Sequence, residues 1–367
     1  MLILNSHLPP RKEAQLLTSD NQLSNSPFRR YINYILTLLL TVVFVLIAFR
    51  DVDFGEVLEI TSHASFYWIM ILILSLYLSH FLRAVRWKVI IRSVKPEAKL
   101  KYLFGALMVG YGVNCVVPRL GEVSRSVLLG RWEGLSRSSM FGTVILERMI
   151  DIFFFGLSLI IAGLLYNGNV YVEFPWLKTT LVVLLLTVVS GAILLVVSVK
   201  FKETFYKLIK FILQKFSVKA SEKLIHIFEM LVEGLSSLKG SNNYCISILL
   251  SVAIMLLYGF NSYIGFFALG MDRIQPINFG MAWIVMSISS IGVMIPTPGG
   301  TGSYHTIAKS VLVLLFGFAD TISLAYAFLM HIVSYLLFIF TGLIVFFLLN
   351  KQHDNIMKVV KTELDDL

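Results

Sequence analysis

Two carboxylates four residues apart, with an arginine beside the first, stand inside an apolar run: Glu147-Arg148-Met-Ile-Asp151 within Ser139–Leu165. On a helix, positions i and i+4 share a face, so Glu147 and Asp151 would point the same way. Ionised side chains at membrane depth are expensive unless paired or hydrated, which makes them functional candidates by default. Two readings stand side by side. The charges staple this helix to a neighbour through buried ion pairs, or they line the path of a polar substrate.

The neighbour is expected in Asn114-Cys-Val-Val-Pro118-Arg119-Leu-Gly121-Glu122, followed by Arg125. Arginine forks match a phosphate diester bidentately. A helix restarting after Pro118 would aim free N–H groups at the same anion, and Glu122 would neutralise Arg119 and Arg125 in the empty state. The bland alternative is a cytoplasmic loop whose arginines follow the positive-inside distribution. Proline and glycine beside the charges, with the polar Asn114 ahead of them, favour binding. Irregular backbone in a bilayer survives only where protein or a water-filled cavity satisfies it.

A second apolar stretch is broken by Pro296-Thr-Pro298-Gly299-Gly300-Thr-Gly302. This turn precedes a helix from about Ser303 and could form an anion nest, although it lacks the Lys-Ser/Thr of a P-loop. His305 and Lys309 would share a face just inside that helix. A hinge or tight helix packing explains the glycines equally well, and His305 by itself reads as a hydrogen-bonded core residue. Paired interruptions in the two halves of a chain point to a transporter's binding site. A weak echo links them: Arg125-Ser-Val-Leu-Leu129 after Pro118, and Lys309-Ser-Val-Leu-Val313 after Pro298.

The elements that must hold these residues are membrane helices. The 367 residues are 57% hydrophobic and 14% charged, far from the globular norm. About 20 apolar residues cross a bilayer, and runs of roughly that length occur at Tyr31–Ala48, Phe66–Leu82, Ser139–Leu165, Leu181–Val199, Tyr244–Leu269 and Ser323–Leu349. Leu103–Val117, short for a full crossing, and Phe279–Phe318 hold or abut the two breaks. The expected fold is all-α and polytopic, with about eight membrane segments. Two of them are broken or re-entrant hairpins, compatible with an inverted repeat.

Residues 1–30 form a polar N-terminal tail with no signal peptide, 31–350 one membrane domain and 351–367 a C-terminal tail. Lys and Arg place the loops. The N-terminal tail, the cluster Arg83–Lys101, the segment Arg119–Arg137, the lysine-rich 200–240 and the C-terminal tail read as cytoplasmic. Asp51–Ser65, Tyr166–Trp176 and Gly270–Asn278 read as outside. The first hairpin would then dip in from the cytoplasm. Phe279–Phe318 would start and finish outside, as two short spans or as a mirror-image hairpin. Within 200–240, Phe201, Phe205, Leu208 and Ile212 recur at helical spacing among lysines. That pattern suits an amphipathic helix on an anionic leaflet, or an ordinary positive-inside loop.

The net charge of +9 suits a membrane surface and makes no case for nucleic acid. Cys115 and Cys245 read as free packing residues, with no metal-ligand spacing. Enzyme signatures such as G-x-S-x-G, H-E-x-x-H and Walker A are absent, so a non-enzymatic role is expected, with no metal or cofactor.

The motifs together resemble one family. Asn114…Pro118-Arg-Leu-Gly-Glu122…Arg125, then Glu147-Arg148…Asp151, then Pro296-Thr-Pro-Gly-Gly-Thr-Gly302 look like the lysylphosphatidylglycerol synthase transmembrane-region family. This is a flippase-like group of bacterial integral membrane proteins. Arg83…Arg86-Trp87 fits as well, and the likeness runs from about Tyr31 to Leu349. In large two-part members this region moves aminoacylated phosphatidylglycerol between leaflets, and a soluble C-terminal domain makes that lipid. The chain here stops at Leu367 with no counterpart of that domain, so aminoacyl transfer is not implied. A glutamate commonly follows the glycine motif in the family, where this chain has His305.

The resemblance thus implies a lipid translocase of the bacterial cytoplasmic membrane, with both termini inside. Its substrate would be an anionic or zwitterionic phospholipid or a polyprenyl-phosphate-linked lipid. Arg119 and Arg125 would hold the phosphate, while Asn114, Glu122, Glu147, Arg148, Asp151, Arg83, Arg86, His305 and Lys309 line or brace the path. Pro118, Gly121, Pro296, Pro298, Gly299, Gly300 and Gly302 would form the turns. A non-transporting partner of a lipid- or glycan-modifying enzyme, or an intramembrane transferase, are the competing readings, and a homo-oligomer fits either role.

Overall fold

Proline and glycine decide where the helices stop. The structure, a computed structural model, describes residues 39, 42–48, 52–200, 225, 229 and 241–365. Among them all regular structure is helical: α1 (42–48), α2 (Phe54–Ser62), α3 (Phe66–Ile90), α4 (Leu100–Val116), α5 (Leu120–Glu133), α6 (Arg137–Leu165), α7 (Val170–Glu173), α8 (Pro175–Lys200), α9 (Ser241–Ala268), α10 (Phe279–Met294), α11 (Ser303–Phe316) and α12 (Asp320–Asp365). Three helices are long and apolar enough to cross a membrane: Phe66–Ile90, Asn242–Ala268 and Asp320–Lys351. Two shorter apolar helices, Leu100–Val116 and Phe279–Met294, and the apolar segment Pro175–Thr187 of α8 accompany them. α6 spans 29 residues but carries Glu147, Arg148 and Asp151. The protein is a helical membrane protein, and the expected figure of eight segments is not reproduced by this count.

Most expected spans fall inside helices that are longer than the apolar runs. Phe66–Leu82 extends to Ile90, so Arg83 and Arg86 lie on α3 rather than in a cytoplasmic loop. The helix continues past its apolar run because both guanidinium groups are met by carboxylates inside the protein. Only residues 39 and 42–48 of the Tyr31–Ala48 span are described. The N-terminal tail, and the 201–240 segment apart from residues 225 and 229, lie outside the described residues.

Both breaks become helix–turn–helix hairpins. In the first, Pro118 forces Val117 into extended geometry (φ −126°, ψ 109°), which ends α4. Arg119 then turns the chain in the left-handed region (φ 65°) before α5 begins. The two helices close on each other at glycines. A Cβ on Gly121 would strike the carbonyl oxygen of Gly110, and one on Gly110 would come within 2.9 Å of the Gly121 carbonyl oxygen. In the second, Ile295 before Pro296 is likewise extended (φ −68°, ψ 132°). Gly299, Gly300 and Gly302 carry the turn at φ 58°, 80° and 83°. Here too a glycine permits the approach: a Cβ on Gly292 would lie 2.7 Å from the Ser303 carbonyl oxygen.

α12 is the ruler against which both hairpins are set. Lys309 at the middle of α11 pairs with Asp320 at the start of α12, and His305 near the turn lies against His331. At the turn itself, the Tyr335 ring abuts Gly299 and the Tyr335 hydroxyl donates to the Cys115 carbonyl at 2.5 Å. Beyond that level the first hairpin takes over. Gly112 lies against Phe338 and Gly342, Gly105 against Val345 and Leu349, and Trp132 donates to Asn350 at 3.0 Å. The hairpins therefore run in from opposite ends of α12 and meet tip to tip beside Tyr335. That residue is fifteen positions from either Asp320 or Asn350, about 22 Å at the helical rise. The sequence echo falls at matching places, Arg125 on the sixth residue of α5 and Lys309 on the seventh of α11.

Candidate functional site

The charged site is assembled from four helices. α6 presents Glu147 and Asp151 on one face, and α3, packed alongside α9, brings Arg83 and Arg86 one turn apart to meet them. Glu147 is completely buried. Its Oε1 accepts from Arg83 Nη2 at 2.8 Å and from Arg86 Nη2 at 3.3 Å, and its Oε2 accepts from Arg125 Nη1 at 2.7 Å. Asp151 accepts from Arg83 Nη2 at 2.7 Å and from Arg86 Nη2. Arg148 lies 3.5 Å from Asp151 and 3.9 Å from Glu122. α9 adds neutral partners: Arg83 Nη1 donates to the Tyr258 hydroxyl at 3.0 Å, and Arg86 Nη1 to Ser251 at 2.9 Å.

The first hairpin docks through α5. Asn114 Oδ1 accepts from the Gly121 amide at 2.7 Å, and its Nδ2 donates to Glu122 at 3.4 Å, so one side chain ties α4 to the start of α5. That bond sets the helical phase at which Arg125 reaches Glu147. Arg125 also stacks over Trp87, 4.9 Å from the ring centre, and Trp87 is fixed by donating to Thr143 at 3.0 Å.

Four guanidinium groups (Arg83, Arg86, Arg125, Arg148) against three carboxylates (Glu122, Glu147, Asp151) leave one positive charge. The arrangement has a buried floor and an open rim. Glu147 binds three arginines with no exposed surface, whereas the Arg148 and Glu122 side chains are 34% and 26% exposed. Arg125 Nε and Nη2 and the Tyr111 hydroxyl are buried, yet have no hydrogen-bond partner among the described residues. Spare donors beside surplus positive charge are equipped to take an anion.

Of the residues singled out in the sequence, the structure brings together Asn114, Glu122, Arg125, Glu147, Arg148, Asp151, Arg83 and Arg86. Arg119 stands apart. It is exposed at the left-handed turn, because the chain must reverse there before α5 can carry Arg125 inward, so the two arginines do not form one fork. His305 and Lys309 belong to the second hairpin, and each is occupied locally. His305 Nδ1 accepts from the Gly302 amide at 3.3 Å, and Lys309 pairs with Asp320 at 2.8 Å. Among the described residues the second break gathers no charged cluster: its polar contacts are neutral, such as Ser303 donating to the Gly292 carbonyl at 2.6 Å and Thr306 donating to the Phe44 carbonyl at 3.1 Å.

Sequence reasoning missed Tyr111, Ser251 and Tyr258, whose apolar neighbours hide them, and His331 and Tyr335, which the same rule about titratable groups in apolar helices would have flagged. Cys115 and Cys245 are free, the first buried and the second exposed. Among the described residues no group of three or more His, Cys, Asp or Glu side chains could hold a metal ion.

Comparison with known proteins places this architecture. A UPF0104 membrane protein of Methanocaldococcus jannaschii is 24% identical over 335 residues, 86% of this chain and 95% of its own length. A UPF0104 membrane protein of Methanothermobacter thermautotrophicus is 27% identical over 269 residues, covering 69% of this chain and 77% of its own. The family described as lysylphosphatidylglycerol synthase TM region matches residues 34–342, from before α1 to within α12 and across both hairpins. The chain belongs to the lysylphosphatidylglycerol synthase TM region family.

Proposed function

We propose that the protein moves a phosphate-bearing lipid between the leaflets of a cytoplasmic membrane. The observation that carries this reading is the surplus guanidinium charge at a broken helix, with Arg125 Nε and Nη2 buried without a hydrogen-bond partner among the described residues. An anionic or zwitterionic phospholipid, or a polyprenyl-phosphate-linked lipid, offers the phosphate that such donors accept. The floor of Arg83, Arg86, Glu147 and Asp151 braces α3, α5 and α6 through its buried ion pairs. The rim of Asn114, Glu122 and Arg148 meets the headgroup, with the buried Arg125 directly behind it. Arg119, exposed at the turn, guides the phosphate without clamping it. Both termini lie on the cytoplasmic side by the distribution of Lys and Arg.

The test is translocation of a panel of headgroup-labelled lipids in proteoliposomes. Arg148→Gln removes one 3.5 Å contact of Asp151 but leaves the Arg83, Arg86 and Arg125 pairs with Glu147 in place, and it should abolish movement while the protein stays monodisperse in detergent. Arg119→Ala should slow it by no more than about tenfold, the worth of a peripheral charge contact. Full activity in Arg148→Gln overturns the site assignment. The convergence of three arginines on the buried Glu147 also favours a second reading, a purely structural staple in a non-transporting partner of a membrane enzyme. That reading predicts no lipid movement from well-folded protein, together with co-purification of a stable partner.

A further inference from the structure

Between the second hairpin and α12 lies a pair of imidazoles that the charged site does not use, His305 buried and His331 half-buried. His305 on α11 and His331 on α12 have ring centres 4.7 Å apart, one helical turn from the junction at Tyr335. Each addresses the same turn. His305 Nδ1 accepts from the Gly302 amide at 3.3 Å, and His331 Nε2 lies 3.3 Å from the Thr301 hydroxyl. The bond from Gly302 assigns the neutral His305 ring its proton on Nε2. We propose that His305 and His331 form a proton-binding site that releases the Thr301–Gly302 turn, and that this proton is the coupling ion for lipid movement. The second clause rests on the translocase reading; the first does not.

The groups facing the pair decide what a proton does there. α11 contributes Tyr304, its ring 5.9 Å from His305 and 6.1 Å from His331. One turn further on is Lys309, held by Asp320. α12 contributes Phe328 and Tyr335, 6.4 Å from His305 and 5.2 Å from His331 respectively. α1 approaches Gly302 with the backbone at Phe44, and α4 lies beyond Tyr335, which donates to the Cys115 carbonyl. Among the described residues no carboxylate pairs with either imidazole. A proton on Nδ1 of His305 would set two donors against each other and leave a cation at membrane depth with no counter-ion. Such a charge needs water. Movement of the turn relieves both faults, and Gly299, Gly300 and Gly302, all at positive φ, supply the freedom. A purely packed aromatic pair would be indifferent to pH.

The experiment is hydrogen–deuterium exchange of residues 295–306 in nanodiscs at about pH 7.5 and about pH 4, the latter well below the ordinary histidine range, corrected for the intrinsic exchange rate. Native protein should lose at least about tenfold of its protection at the lower pH. His305→Gln keeps an acceptor for Gly302 but cannot titrate, and together with His331→Gln it should show no such loss. Unchanged native exchange overturns the proton site whatever the variants do, as does the same loss in both variants. In proteoliposomes a pH gradient should accelerate lipid movement by the native protein and not by His305→Gln. Exchange that responds to pH while movement ignores the gradient overturns the coupling and leaves the site. If no lipid moves under any condition, the translocase reading fails, and the exchange result still decides the site.

Discussion

Glu147 is the residue on which the charged site depends, because three guanidinium groups converge on one buried carboxylate. Arg83 and Arg86 keep Asp151 if Glu147 loses its charge, whereas Glu147 is the ion-pair partner of Arg125. Glu147→Gln therefore orphans Arg125 above all, and breaking a buried pair from one side destabilises by about 3–5 kcal/mol. Thermal unfolding in detergent should show that loss. Adding Arg125→Gln removes the stranded charge, so the double variant should be more stable than the sum of the singles by about 0.5–3 kcal/mol. Additive losses would mean that Arg125 and Glu147 do not share one energetic unit. The acids were legible in the sequence, since a charge inside an apolar run is visible in one dimension. Their partners were not. Arg83 and Arg86 looked like loop residues because the hydropathy of α3 ends before the helix does, and Arg119 looked like the twin of Arg125 until the left-handed turn separated them.

Each hairpin depends on backbones approaching closely at a glycine, as membrane helices do where small residues line the contact. At Gly121 a Cβ would collide with the Gly110 carbonyl oxygen and lie 2.7 Å from Asn114 Oδ1, which already accepts from the Gly121 amide. The first obstacle is backbone, and the second is a side-chain end held in place by that bond. Gly121→Ala should push α5 off α4 and destabilise the protein by about 1–3 kcal/mol or more. Loss of lipid movement should accompany it as Arg125 shifts from Glu147. Gly156 on α6 has nothing within 4 Å of its would-be Cβ. There alanine should be neutral or stabilising by up to about 1 kcal/mol, the usual penalty of an interior helical glycine. Melting both variants in the same detergent tests the contrast, and equal destabilisation would refute the packing account. The positions of the two breaks were legible, because Pro118 and Pro296 constrain the residues before them whatever the surroundings. Which glycines are closures and which are spare was not legible, since that depends on the phase of one helix against another.

For the whole molecule, the opposed entry of the hairpins matters more than either site. Along α12, contacts pass from Lys309 through His305 and Gly299 to Cys115, Gly112 and Gly105, so the two turns share one level at its middle. An inverted-repeat carrier needs such a level, where a headgroup can be handed from one half to the other while each hairpin answers to its own side. A built Cβ on Gly299 lies 3.5 Å from the Cys115 Cα, within reach of a disulfide, whose Cα atoms sit about 4.4–6.8 Å apart. In a Cys245→Ser background, Gly299→Cys should therefore cross-link to Cys115 on oxidation, once the Tyr335 ring swings aside. The non-glycine residue at φ 58° adds strain of about 1–2 kcal/mol, well short of preventing the bond. Loss of both thiols to maleimide labelling, recovered after reduction, reports the bridge. Persistent labelling of both under oxidation would disprove the tip-to-tip arrangement. If lipid movement stalls in the bridged protein and resumes when the bond is reduced, the tips must part in each cycle. Movement that continues through the bridge would place the route along the α5–α6 rim, with the junction serving as a fixed pivot.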